Sequence, residues 1–205
     1  MFQFAIGGRS LTELVEPQPN VISYHKGQLL TGQISVDLIW YGKFTSSQRA
    51  IISDFVTSLS SSSRKEQLQE QQQKPTVAKW WETTDKYYQL AKSTEAPPTL
   101  TLGTQIIDES CSLGKILSSD QIVSLASLGG KRRSINVVLT SEDVVVDGFC
   151  MNRCGTHGSS PRSKNGRYTY IWVGNSATQC PGHCAWPFTS AHLRPSGFSS
   201  CGTQW

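Results

Sequence analysis

A chain of 205 residues with a formal net charge of +4 and only 17% charged side chains is long enough for one medium domain with a sizeable core. Its basic residues are scattered except at Lys131-Arg132-Arg133, which follows Gly129-Gly130 and reads as a solvated turn, so nucleic acid is not an expected partner. No apolar run approaches the ~20 residues needed to span a bilayer, and "MFQFAIGGRSLTEL" lacks the basic and apolar regions of a signal peptide, which taken alone points to an intracellular chain.

Residues 1–20 read as a polar leader ending in Pro17-Gln18-Pro19. The glycine-punctuated "GQLLTG" suits a turn between two short strands. Alternation around Ile34, Val36, Leu38 and Trp40 predicts a strand over Gln33–Tyr41. Thr45-Ser46-Ser47-Gln48 has the form of a capped helix start, and Ile51, Ile52, Phe55, Val56 and Leu59 then fall at helical spacing, as a face that packs on a sheet. The stretch "SSSSRKEQLQEQQQK" at 60–74 has only Leu68 as an apolar residue, which excludes a coiled coil and leaves a linker or a polar helix extension.

Pro75-Thr76 opens a second predicted helix, with an aromatic stripe through Val77, Trp80, Trp81, Thr84, Tyr87, Tyr88 and Ala91. Core packing explains such a stripe. The sharper alternative makes Trp80, Tyr87 and Tyr88 ligand-facing, because aromatic rings stack on sugars. "EAPP" ends that helix, and "TLTLGTQIID" is a strand by alternation. Ser118-Ser119-Asp120-Gln121 caps a short helix carrying Ile122, Val123, Leu125 and Ala126, which Gly129-Gly130 terminates. Ile135 to Leu139 and Val144 to Val146 are two further β-prone runs. In "RYTYIWVGN" Tyr168, Tyr170 and Trp172 alternate with Thr169, Ile171 and Val173, so this too is a strand. The order β, α, α, β, α, β, β predicts an α/β fold, a mixed sheet with helices packed on it.

The cysteines fall in two pairs of equal spacing, Cys150 with Cys154 and Cys180 with Cys184, flanking the Tyr168–Gly174 strand. A hairpin around that strand would bring the pairs together, and both a four-cysteine zinc site and two disulfides fit such an arrangement. The Gly-rich, weakly charged surroundings favour disulfides, as in secreted modules. Links between the pairs are more plausible than links within a pair, whose loop is too short to orient its Cβ atoms. The spacing does not fix the connectivity, and Cys111 and Cys201 have no assigned partner.

"YHKGQLLTGQISVDLIWYGKF", "INVVLTSEDVVVDGF", "FCMNRCGTHGSS" and "YIWVGNSATQCPGHCAWPF" closely resemble motifs of the plant phosphate-induced protein 1, or EXORDIUM-like, family. The resemblance runs from about Tyr24 to Phe188. It implies three segments: a leader remnant at 1–20, the amino-terminal two-thirds of the family domain at 21–188, and a divergent tail at 189–205. It also implies a secreted protein of the apoplast with a role in growth and cell expansion, and hence disulfides for Cys150, Cys154, Cys180 and Cys184. Family members carry a signal peptide that this chain lacks. Cys111 and His183 stand where tyrosine and glutamine are usual. The expectation is therefore of a chain cut short, whose Cys-rich loops are stapled but whose sheet is incomplete, and which folds poorly alone.

No H-E-x-x-H, G-x-S-x-G or phosphate loop occurs, and His157 reads as a hydrogen-bonding surface residue. The sequence thus predicts no enzyme, no catalytic residue, no cofactor and no metal. The expected partner is a cell-wall or cell-surface component. The alternative is a degenerate metallohydrolase-like fold that binds a cell-wall glycan or peptide. An intracellular zinc module is a third reading, resting on the missing signal peptide.

Overall fold

The structure, a computed structural model, describes residues 24–27, 29–60, 76–91, 96–130, 132–161, 167–180 and 183–184. The leader, the polar stretch after Ser60 and the tail with Cys201 lie outside the described residues. In chain order the elements are β1 (Gln33–Tyr41), α1 (Ser46–Ser58), α2 (Val77–Glu82), α3 (Asp85–Leu90), β2 (Thr99–Asp108), β3 (Ile116–Leu117), α4 (Ser119–Ala126), β4 (Ser134–Thr140), β5 (Val145–Val146), β6 (Gly155–Ser159), β7 (Thr169–Gly174) and α5 (Ser176–Gln179).

Five strands form one sheet in the order β2-β1-β4-β7-β6. The first four are mutually parallel, and β6 runs antiparallel to β7 at the edge. The mixed α/β sheet expected from the element order is therefore present. β1 is an inner strand, between β2 and β4, and is buried on both faces, as parallel strands are. Ile34, Val36, Leu38 and Trp40 enter one apolar cluster with Val56 of α1, while Ile39 and Tyr41 enter another with Ile122, Leu125 and Ala126 of α4. The chain leaves β1 for β2 on one side and returns across it to β4 on the other. The strand order thus reverses between β1 and β4, where open α/β sheets characteristically bind ligands beyond the strands' carboxyl ends.

The two long helices start where their caps say they should. The Thr45 hydroxyl accepts from the Gln48 amide and the Gln48 side chain accepts from the Thr45 amide; Ser118 and Gln121 repeat the arrangement at α4.

Three expectations need correction. First, no strand precedes β1 among the described residues, and the described residues of "GQLLTG" run straight into β1 without a strand on their other side there. Second, Ile51 and Phe55 of α1 are exposed, and the packed face is the narrower set Ile52, Val56 and Leu59. Third, the helix opened by Thr76 is two helices, because the hydroxyls of Thr83 and Thr84 donate back to the carbonyls of Trp80 and Trp81 at 2.7 Å. Side-chain bonds of that kind compete with the helical ladder and end it.

Candidate functional site

The four paired cysteines gather at the carboxyl edge of the parallel strands. Cys150 follows β5, Cys154 immediately precedes β6, and Cys180 and Cys184 follow β7 and α5. The antiparallel β6–β7 pair places Gly155 opposite Val173, which carries the first cysteine loop against the second. Two disulfides result, Cys150–Cys180 and Cys154–Cys184, each spanning 30 residues of sequence with Cα atoms 5.6 and 5.4 Å apart. Both links run between the pairs and neither within one. The four sulfurs are thus committed to disulfides and not to a zinc site. The two bridges lie side by side, with Sγ of Cys180 3.8 Å from Sγ of Cys184. Phe149 beside them packs edge-on to Trp172, ring centroids 5.6 Å apart, so the staple is anchored in the core.

The next layer closes the β1/β4 boundary. The Ser141 amide donates to the Tyr41 carbonyl at 2.9 Å, and the Ser141 hydroxyl donates to Asp143 at 2.6 Å. The other Asp143 oxygen accepts from the Lys115 ammonium at 2.5 Å. The Lys115 hydrogen bond, helped by that of Ser141, holds the Asp143 carboxyl below its usual range, and Asp143 in turn holds the Lys115 ammonium above its own. From α5, Gln179 donates to the carbonyls of Glu142 and Val144, both at 2.8 Å. Cys111 is free and buried, in a left-handed backbone conformation. Burial, with the nearby Asp143 charge, raises its thiol pKa, which keeps it protonated and a weak nucleophile. Asp108 accepts from Ser112 and Ser110, and these bonds lower its pKa. Chemically this is a set of clips: a carboxylate held ionised, an ammonium held charged and a thiol held neutral.

The aromatic candidates separate. Trp80 and Tyr87 are 69% and 60% exposed, whereas the half-buried Tyr88 donates its hydroxyl to the Leu30 carbonyl at 2.6 Å. Trp81, not singled out as a ligand candidate, is the ring of α2 that packs on the α1 side of the sheet. His157 is exposed on β6, and among the described residues no three His, Cys, Asp or Glu side chains are placed to hold a metal ion.

Sequence reasoning missed Lys115, Ser141 and Asp143 as a unit, because the first and last are 28 residues apart. Gly42, directly after β1, meets Ser141 in the turn after β4, and nothing in the sequence marks that meeting.

A family model described as "Phosphate-induced protein 1 conserved region" matches residues 22–200, continuing past Phe188. The chain is 58% identical over 185 residues to Protein PHOSPHATE-INDUCED 1 of Nicotiana tabacum, covering 88% of this chain and 57% of the relative. It is 55% identical over 192 residues to Protein EXORDIUM of Arabidopsis thaliana, covering 92% and 60%. Protein EXORDIUM-like 1 of Arabidopsis thaliana is 57% identical over 168 residues, covering 80% and 53%. The chain therefore spans somewhat over half the length of these relatives. No solved structure matches it.

Proposed function

This chain belongs to the phosphate-induced protein 1 family, and we propose that it acts outside the cell, in the plant cell wall space, as a non-catalytic protein in growth and cell expansion. The observation that carries this reading is the pair of disulfides side by side, Cys150–Cys180 and Cys154–Cys184. Such bridges persist in secreted proteins and are reduced in the cytosol. The non-catalytic part is supported by the carboxyl edge, where Asp143, Lys115 and Cys111 are all shifted away from titrating near neutrality. The partner is a cell-wall or cell-surface component.

The test is to express the chain in plant cells with and without a secretory leader. Growth is then scored, and free thiols are counted by alkylation and intact mass. The secreted form should alter growth and show none of the four cysteines alkylated. A growth response carried equally by a form kept in the cytosol, with those four thiols reduced, overturns the reading.

A second reading is favoured by the exposure of Trp80 and Tyr87: a degenerate metallohydrolase-like fold that binds a cell-wall glycan or peptide through those rings. A glycan array probed with Trp80→Ala separates it from the first reading.

A further inference from the structure

At the opposite, amino end of the parallel strands lies a groove of about 610 Å³ between the segment leading into β1 and the edge strand β6. That volume is in the range of small-ligand sites. Its charged lining is cationic, Arg133 and Arg167 with His157 beside them, and no carboxylate lines it. Arg133 reaches it from a backbone with φ of +52°, a conformation that non-glycine residues adopt at a cost and that the Ser35 amide holds by donating to the Arg133 carbonyl at 2.9 Å. Arg167 is steadied by its Nε, which donates to the Ser160 carbonyl at 3.0 Å. Among the described residues the ion pairs are Arg49–Glu109 and Lys115–Asp143, both at the other end of the sheet. Neither groove arginine has a carboxylate partner among the described residues.

We propose that this groove binds an acidic oligosaccharide of uronic acid units, its carboxylates taken by Arg133 and Arg167. Guanidinium groups pair with carboxylates in a two-pronged, planar fashion. Two of them, rising from the entries to different strands, suit a ligand that repeats its negative charge along its length. The other lining groups match the rest of such a chain: Ser159 and His157 for ring hydroxyls, Leu29 and Leu30 for the apolar faces of the rings. The choice of a uronate over other polyanions rests on the proposed cell-wall location; the groove and its charge do not.

The experiment is calorimetric titration of the oxidised full chain with hexagalacturonate, its methyl ester, cellohexaose and inorganic phosphate. Hexagalacturonate should bind, and the two uncharged hexasaccharides should not. Arg133→Asn, which tolerates the left-handed backbone, and Arg167→Gln should each weaken binding at least tenfold. Arg132→Gln, exposed but outside the groove, should change it less than twofold. Circular dichroism confirms that each variant is folded. No binding of hexagalacturonate by the unaltered chain overturns the proposal, as does an equal loss with Arg132→Gln, or phosphate binding as tight as the hexamer's. A negative result in vitro leaves the extracellular reading standing, since that is judged by location and thiol state. A cytosolic activity would overturn that reading without touching a measured affinity.

Discussion

A Cβ on Gly42 would stand 1.9 Å from Oγ of Ser141, so the carboxyl end of β1 meets the turn after β4 with no room for a side chain. Gly42 also has φ of +95° and donates its amide to the Asp108 carbonyl at 2.9 Å, locking β1 to β2 as Ser141 locks it to β4. Gly42→Ala should cost about 2–4 kcal/mol, combining left-handed strain with overpacking. Gly114, with φ of +85° and nothing within 4 Å of its missing Cβ, should cost only the backbone part, about 1–2 kcal/mol. Urea unfolding of the two alanine variants gives the comparison. Equal losses would show that the Ser141 contact yields freely.

The disulfides should be strongly non-additive. A bridge closing a loop of this length stabilises by about 3–4 kcal/mol in the chain-entropy model. The two loops, 150–180 and 154–184, cover nearly the same chain, so whichever bridge remains already restricts the unfolded ensemble. Replacing Cys150 and Cys180 by serine should cost well under half of what replacing all four cysteines costs. Chemical denaturation under oxidising conditions measures both, and simple additivity would mean that each bridge acts through native contacts instead.

The parts of the fold visible in the sequence were those with local causes. β1 and β2 carry long runs of strand-forming residues, and α1 and α4 carry complete capping boxes at Thr45–Gln48 and Ser118–Gln121. β6, with the sequence GTHGS, has no apolar side chain to mark it. It exists because β7 offers it an edge and two disulfides hold its start there. β3 and β5 are two residues each and depend wholly on one another. The cysteines were legible as a group because a hairpin could unite them, but their pairing followed only from the β6–β7 register. Lys115, Ser141 and Asp143 were illegible for the same reason: the fold brings them together, and no spacing does.

Trp80 and Trp81 are neighbours with opposite fates. Trp80→Ala should change stability by no more than about 0.5 kcal/mol, as exposed positions do. Trp81→Ala should cost about 1–3 kcal/mol, a partial share of what a fully buried ring loses. Tyr88→Phe removes the bond to Leu30 and should cost about 0.5–1.5 kcal/mol. Thermal unfolding of the three variants orders them, and a large loss at Trp80 would show that its ring is covered in solution.

The Lys115–Asp143 pair sets a pH window. The Asp143 carboxyl is lowered, first by the Lys115 bond and then by Ser141. Its contribution is therefore complete above the ordinary carboxylate range, about pH 4, and is lost as pH falls through the folded value below that. Lys115 is raised by the same bond, so its share is complete below the ordinary lysine value, about 10.4, and is lost as pH rises beyond it. The stability difference between the unaltered chain and Asp143→Asn should be flat from about pH 5 to 9 and shrink as pH falls through the lowered folded value. A difference that grows on acidification contradicts the assignment.

Asp37 is the buried polar group on which the amino half of the sheet depends. It is 4% exposed, in the middle of β1, where the β1–β2 register slips between Val36 and Leu38. Opposite it, Gly103 and Thr104 occupy the space of a single residue, and a Cβ on Gly103 would stand 2.0 Å from Oδ1 of Asp37. That oxygen accepts from the Thr104 amide at 2.9 Å and the Ser35 hydroxyl at 2.8 Å, while Oδ2 accepts from the Gly130 amide at 2.8 Å. One carboxylate thus satisfies the bulge in β2 and the turn after α4 at once. Alanine at this position leaves both amides without a partner and should cost about 2–5 kcal/mol, since each buried unsatisfied donor is worth roughly 1–3 kcal/mol. Asparagine keeps one acceptor oxygen but turns an N–H towards the other donor, so it should fall between alanine and the unaltered chain. Hydrogen exchange at Thr104 and Gly130 distinguishes this from a general loosening. Both amides should lose protection in Asp37→Ala, and only the one facing the new N–H in Asp37→Asn. Unchanged protection at both, with unchanged stability, would show that water replaces the carboxylate at no cost and that the bulge holds its own shape.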